Sequence, residues 1–292
     1  MRLADALTRT CDALRAAGLE SPESEARILL EEAAGLTRVE TLRDPHRELD
    51  VGVLTRLHAW TVERGEHVPL QYITGIADFY GRRFRVTPDV LIPRPETELV
   101  TEMALALWDE APRRHGAALD LCTGSGAIAA TLALERPGRR VAATDISRRA
   151  LAVAQRNVQE LEATHVTFHE GDLFAALDAA RTSASPRPLR FGLLVSNPPY
   201  VESRAIATLP TDVREHEPHL ALDGGGDGLD LIRRILHDAP AHLIRGAALV
   251  LEIGETHGDS VLELAAATSY YAEARVHPDL AGRPRILTAV LR

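Results

Sequence analysis

Nothing in this chain restricts its fold more than the stretch Phe191-Gly192-Leu193-Leu194-Val195-Ser196 followed by Asn197-Pro198-Pro199-Tyr200. The first six residues, apolar except for Gly192 and Ser196, read as a strand buried on both faces, the kind that parallel sheets place at their centre. Neither Pro198 nor Pro199 has an N–H to give to a ladder, so the strand must stop there. In open α/β sheets, ligands collect just beyond the carboxyl ends of the strands. A side-chain amide, two rigid residues and an aromatic ring are therefore delivered to the place where chemistry is expected. Pro-Pro alone would also serve as a plain strand-ending turn, so the rest of the chain must decide.

From residue 117 onward, strand and helix patterns alternate. Strands are predicted over Ala117–Cys122, Arg140–Asp145, His165–His169, Phe191–Ser196 and Ala247–Ile253, with closing strands near Ala272–Val276 and Arg285–Leu291. Helices are predicted over Ser125–Glu135, Ser147–Leu161, Phe174–Ala180, Asp230–His242 and Asp259–Ala267, and Arg181–Arg190 reads as a surface loop. Such alternation predicts an α/β fold, a Rossmann-like, doubly wound, mostly parallel sheet. Residues 1–70 differ in texture. A stripe of Leu3, Leu7 and Leu14 closed by Gly18, an N-cap and first turn at Ser21-Pro22-Glu23, and Val53, Leu57 and Trp60 before Gly65 predict a small helical bundle. Pro69–Gly75 and Phe79–Val86 favour β-structure, with Gly75 and Gly81 as turns. Leu91-Ile92-Pro93-Arg94-Pro95-Glu96-Thr97-Glu98 then leads into a helix through Trp108, with Thr97 as a candidate cap. The division expected is a helical domain over 1–70, and over 71–292 a β-hairpin linker joined to the α/β domain.

Composition narrows the chemistry. The net charge is −9 and all 33 basic residues are arginine. Without lysine there is no Walker-type phosphate loop and no Schiff base. Residues 1–68 hold nine arginines against thirteen acids, which is no basic arm for DNA or RNA. Cys11 and Cys122 form neither a disulfide framework nor a metal spacing, and no stretch is apolar enough to span a membrane or to act as a leader. A cytoplasmic setting is expected.

The segment Asp120-Leu121-Cys122-Thr123-Gly124-Ser125-Gly126-Ala127-Ile128-Ala129 carries Gly-x-Gly-x-x-Ala at a strand-to-helix turn, where glycines admit a ligand to the backbone. Asp145 ends the next strand, where an acid holds a ribose diol. Taken alone, this suits NAD. Asp120, however, would repel a pyrophosphate, and Glu170-Gly171-Asp172-Leu173-Phe174 adds acid beside apolar surface. S-adenosylmethionine has no phosphate and carries a sulfonium and an ammonium, so it fits an acidic pocket better. Metal sites are not expected. His165 and His169 stand four apart on a predicted strand, roughly 13 Å along it, and His216-Glu217-Pro218-His219 lacks further ligands.

Together these pieces resemble the class I S-adenosylmethionine-dependent methyltransferases that methylate the glutamine of peptide chain release factors, the N5-glutamine methyltransferases. The glycine turn is weakly specific. Asn-Pro-Pro-Tyr narrows the resemblance to amino-methyltransferases, and Ile92–Glu98 narrows it to this family. Pro69–Gly75, Gly171–Phe174, Glu217–Leu222, Gly224–Leu229, Leu251–Gly254 and Pro278–Arg283 extend it along most of the chain. The resemblance implies that Asn197 and Pro198 present acceptors to the glutamine NH2 and that Pro199 and Tyr200 hold and pack its amide. It also implies that Asp120, Cys122, Thr123, Gly124, Ser125, Gly126, Asp145, Asp172, Leu173 and Asn197 line the cofactor. Arg94 and Glu217 become candidate contacts to the protein substrate, or else structural ion-pair partners. The implied partner is a release factor gripped by the helical front end and its Gly-Gly-Gln loop, with no membrane, no direct nucleic acid and a monomeric enzyme. Two departures stand out: Cys122 occupies a position where the family usually has glycine, and the glutamine often found after Glu252-Ile253-Gly254 is missing. The rivals are a methyltransferase for adenine N6 or guanine N2, which the same Asn-Pro-Pro-Tyr would serve, and a nucleotide-binding module of NAD type.

Overall fold

In the computed structural model, which describes residues 1–110, 115–179 and 190–292, the chain opens with helices α1 (Leu3–Ala16), α2 (Pro22–Ala34), α3 (Arg38–Arg43), α4 (Val51–Gly65) and α5 (Leu70–Thr74). Met1–Ile76, with Pro210–His216, forms one compact unit. Leu3, Leu14, Leu29 and Leu30 meet in its core at 1% exposure or less. The buried Arg64 guanidinium donates from Nε to Glu25 Oε2 at 2.6 Å and from a terminal nitrogen to Oε1 at 3.1 Å, pinning α4 to α2. Helix α3 is an addition to the three helical patterns read in the sequence. A capping box starts it: Glu40 N–H donates to Thr37 Oγ1 and Thr37 N–H to Glu40 Oε2, a signature visible as Thr-x-x-Glu. The β reading of Pro69–Gly75 is corrected, since Leu70–Thr74 is helical. Pro69 precedes the first helical residue and Gly75, at φ 74°, ends the helix. These end signals outweigh the strand preference of Tyr72, Ile73 and Thr74, and five residues are too few to show a period.

The chain continues with a hairpin, β1 (Ile76–Phe79) and β2 (Arg82–Arg85), then α6 (Pro95–Asp109), β3 (Ala117–Leu121), α7 (Ala127–Glu135), β4 (Val141–Asp145), α8 (Arg148–Glu160), β5 (Val166–Glu170) and α9 (Ala175–Ala179). After β6 (Phe191–Ser196) come α10 (Thr211–His216), α11 (Asp230–Asp238), β7 (Leu243–Glu252), α12 (Gly258–Ala267), β8 (Tyr271–Pro278) and β9 (Pro284–Leu291). Ala77–Leu209 with Glu217–Arg292 makes the second unit. Of the predicted surface loop, only Arg190 falls within the described residues.

Seven strands form one sheet in the order β5-β4-β3-β6-β7-β9-β8, parallel from β5 through β7 and antiparallel at β7–β9 and β9–β8. Strands β3, β4 and β5 step outward in one direction, and β6 and β7 lie on the other side of β3, so the winding reverses between β3 and β6. All six residues of β6 are buried, because both of its faces are covered. Leu193 and Val195 pack with Val100 and Trp108 of α6 and Ile128 of α7, while Leu194 packs with Ile232, Ile235 and Leu236 of α11. Each such leucine contributes roughly 1.5–3 kcal/mol by leaving water. At the reversal the register pairs Leu121 with Ser196, and Ser196 Oγ donates to Leu121 O at 2.6 Å. The two strand ends are fastened together where the chain must turn out of the sheet.

Candidate active site

A cleft of about 280 Å³ opens at that reversal, beyond the carboxyl ends of β3, β4, β5 and β6. The turn after β3 contributes Cys122 to Ser125, β4 contributes Asp145, and the residues after β5 and β6 contribute Asp172, Leu173, Asn197 and Pro199. Asp89, Leu91 and Thr97 close it from the segment entering α6, and Leu231 and Arg234 close it from α11.

The turn after β3 is tight. Cys122 stands at φ 57°, a left-handed conformation. Glycine takes that conformation freely and cysteine does so only at a cost. Burial, with Asp145 and Asp120 nearby, pushes the Cys122 thiol well above its ordinary range, so it stays a protonated packing group. Asp145 bridges two elements: Oδ2 accepts from Gly124 N–H at 2.9 Å and Oδ1 from Ser147 N–H at 2.8 Å. Burial raises its pKa and these backbone donors oppose that shift. Asp172 accepts from Arg234 at 2.6 Å. The charged side chains lining the cleft are thus Asp89, Asp145 and Asp172 against Arg234, an acidic balance beside the apolar surfaces of Leu91, Ile146 and Leu173.

Two residues expected at the cofactor do not line the cleft. Asp120 is fully buried beneath the turn, where Oδ2 accepts from the Thr123 hydroxyl at 2.6 Å and from Ala129 N–H at 3.1 Å. Its Oδ1 has no partner, and burial pushes the carboxyl up to about 7. Gly126, at φ 78°, turns toward α8, where an added Cβ would lie 2.9 Å from Ala154 Cβ. It lets two helices approach instead of admitting a ligand.

Beyond β6 the arrangement depends on distant residues. Asn197 Nδ2 donates to Thr97 Oγ1 at 3.1 Å, and Thr97 Oγ1 donates to Glu252 Oε2 at 2.6 Å. Tyr200 Oη donates to Glu252 Oε1 at 3.0 Å and receives Arg285 at 3.4 Å. Glu252 is 1% exposed. Thr97 therefore does not cap α6; Arg94 occupies the cap position without a side-chain bond. Tyr200 and the buried Pro198 stand outside the cleft lining, with the Tyr200 hydroxyl committed to Glu252. A glycine-rich loop presses on Tyr200 from behind, and a Cβ at Gly228 would lie 2.4 Å from Tyr200 O. Glu252 and the role of Thr97 escaped the sequence reading. The available signal was an acid ending the apolar run Ala247–Leu251 at the carboxyl edge of the sheet, the same signal that singles out Asp145.

Arg94 and Glu217 meet each other. Arg94 donates to Glu217 Oε1 at 2.5 Å and Ile92 N–H to Oε2 at 3.4 Å. Neither lines the cleft and Glu217 is buried, so the pair holds the Pro93-Arg94-Pro95 segment in place. Of the two readings given to them, the structural ion pair is the one the geometry supports.

Known proteins with this organisation are consistent with one another. A family model described as the PrmC N-terminal domain matches residues 5–75, and one described as the methyltransferase small domain matches residues 99–225. A release factor glutamine methyltransferase of Moorella thermoacetica is 44% identical over 293 residues, covering 100% of this chain and 99% of its own length. One from Cereibacter sphaeroides is 42% identical over 292 residues, again covering 100% and 99%. Among solved structures, a methyltransferase from Pyrococcus furiosus shares the fold with a TM-score of 0.50 at 17% identity, over 73% of this chain and 90% of that one.

Proposed function

The chain belongs to the release factor glutamine methyltransferase family, and from that premise we propose that it methylates the side-chain amide nitrogen of the glutamine in the Gly-Gly-Gln loop of peptide chain release factors, using S-adenosylmethionine. The observation that carries this reading is the placement of Asn197, at the end of the central strand, on the lip of an acidic cleft. When bound, S-adenosylmethionine supplies a methyl group made electrophilic by a positively charged sulfur. The donor set fits that ligand: Asp89, Asp145 and Asp172 outweigh an Arg234 already paired with Asp172, a balance that favours a cation and disfavours a pyrophosphate. Thr123, Gly124 and Ser125 would hold its amino-acid end, Asp145 its ribose, and Asp172 and Leu173 its adenine.

An amide nitrogen is a poor nucleophile because its lone pair is delocalised into the carbonyl. The Asn197 side-chain oxygen and the Pro198 carbonyl serve as two acceptors for the glutamine NH2 hydrogens. They orient the nitrogen and stabilise positive charge as it develops there. Pro199 keeps the Pro198 carbonyl rigid. No strong base is needed, since the methylated amide gives its extra proton to water. Residues 1–70 act as the recognition domain for the release factor, and the enzyme works as a monomer on protein, not on nucleic acid.

Labelled methyl donor incubated with release factor, DNA and RNA side by side tests this. Label should enter the release factor and vanish when its Gly-Gly-Gln glutamine is changed to alanine. Label that survives that change, or that enters DNA or RNA faster, overturns the reading.

A further inference from the structure

We propose that Glu252 and Thr97 are positioning residues which decide the face of the Asn197 amide that meets the substrate. This rests on the methyl-transfer reading above and adds to it how the acceptor is kept an acceptor.

An asparagine side chain is nearly symmetric in shape, with a donor on one side and an acceptor on the other. A half-turn about its last bond would aim NH2 at the NH2 of the substrate glutamine, donor against donor. The surroundings must therefore discriminate between the two ends. The chain of donors begins at Arg285, whose guanidinium gives an N–H to Tyr200 Oη at 3.4 Å. A guanidinium has no lone pair to accept with, so the Tyr200 hydrogen turns to Glu252 Oε1, 3.0 Å away. The other Glu252 oxygen takes the Thr97 hydrogen at 2.6 Å. Burial raises the pKa of the Glu252 carboxyl, while the donors Thr97 and Tyr200 and the charge of Arg285 oppose that shift; held as the carboxylate these donors favour, it has no hydrogen to return. Thr97 has one hydrogen and has given it away, so what it offers Asn197 is a lone pair. Asn197 must answer with its NH2, at 3.1 Å. Its oxygen is left on the opposite side of a planar group whose residue lines the cleft. The direction of every bond in the series follows from the cation at its start, Arg285, and the carboxylate at its centre, Glu252.

Two placements keep the series in register. Thr97 sits in the first turn of α6, and its carbonyl accepts from Thr101 Oγ1 at 2.9 Å, which secures that turn. Glu252 is the last residue of β7, paired antiparallel with Ile286 of β9. The three residues stand 100 and 155 positions apart along the chain, so no local motif contains them.

The test uses the full chain with wild-type labelling of release factor established in the same assay. Thr97→Val removes the hydroxyl at nearly constant volume, and Glu252→Gln puts a hydrogen-bearing NH2 where a hydrogen-free oxygen stood. Each should lower kcat about 10- to 100-fold, with KM for release factor and affinity for S-adenosylmethionine, measured by calorimetry, held near wild type. Thr97→Ser, which keeps the hydroxyl, should recover most of the rate lost in Thr97→Val. The double variant Thr97→Val/Glu252→Gln should be no slower than the worse single, because both act through one amide. Full kcat in either single variant, or losses that multiply in the double, overturns the positioning role while leaving methyl transfer in place.

Discussion

Behind each of two turns that line the cleft, after β3 and after β6, lies a buried carboxylate, and the two are satisfied in opposite ways. Asp120, under the turn after β3, has donors from Thr123 and Ala129, both within nine residues, on one oxygen and none on the other. Glu252, behind the turn after β6, has a donor on each oxygen, from Thr97 and Tyr200, 155 and 52 residues away. The first end is built by backbone conformation over a short stretch: Cys122 at φ 57°, Gly124 at 55°, Gly126 at 78°. The second is built by side chains that only the completed sheet brings together. Shape is coded locally and cheaply, whereas hydrogen-bond direction requires charged groups placed by the fold. Damage to the first end should therefore appear as lost stability, and damage to the second as lost rate.

The sharpest way to break this contrast is Asn197→Ala. It removes one acceptor aimed at the reacting amide and should lower kcat by about 10²–10³-fold, the range for deleting one such polar group. Unfolding free energy should move by only about 1 kcal/mol, the worth of one half-exposed hydrogen bond. Single-turnover labelling and urea titration on the same preparation check both halves, and a loss of stability matching the loss of rate would erase the distinction. Gly126→Ala is the mirror experiment. Its Cβ must adopt φ 78° and lies 2.9 Å from Ala154 Cβ. Left-handed strain and overpacking together should destabilise the protein by roughly 2–4 kcal/mol, read as a lower urea midpoint at unchanged slope. A Gly126→Ala protein that is fully stable yet inactive would mean that the turn binds through Gly126 directly.

The same contrast explains what the sequence disclosed. The alternation after residue 117, the buried run of β6 and the glycine turn are periodic or local signals, and the sheet follows them closely. The acids at Asp145 and Asp172 were legible because Asp145 ends β4 and Asp172 follows the last residue of β5 by two, each beside the turn it serves. Pro69–Gly75 misled, because propensity was weighed over a stretch too short to have a period, while its proline and glycine ends carried the true signal. Gly126 and Asp120 were rightly grouped with the turn, but which way a residue faces in a turn depends on the helix packed behind it. Thr97 reads as a cap because Thr early in a helix commonly is one. Its hydroxyl is diverted to a carboxylate on a strand the sequence cannot place beside it. Arg94 and Glu217 illustrate the same limit, two polar residues resembling contacts to a substrate until the fold brings them to one another.

A last test concerns Asp120, because burial raises its carboxyl as it raises that of Glu252 at the other end, and a difference measurement isolates its share. Burial holds its carboxyl at about 7 in the folded chain, against 3.8 for the free side chain. Between those values the folded state binds the proton more tightly than the unfolded state, so stability falls as the pH rises, by at most about 1.4 kcal/mol per pH unit. Above about 7 both states are ionised and the contribution is flat. Burial lowers the pKa of His169, His257 and His277, so these pull the other way once the pH drops through the ordinary histidine range. The measurement is therefore a difference, wild type against Asp120→Asn, by urea titration from pH 5 to pH 8. Asparagine keeps an oxygen for the Thr123 hydroxyl and the Ala129 N–H but cannot ionise. Its advantage over wild type should grow with pH up to about 7 and then level off. A difference that does not vary with pH would mean that the orphaned oxygen is solvated after all, and that both ends of the cleft satisfy their carboxylates equally.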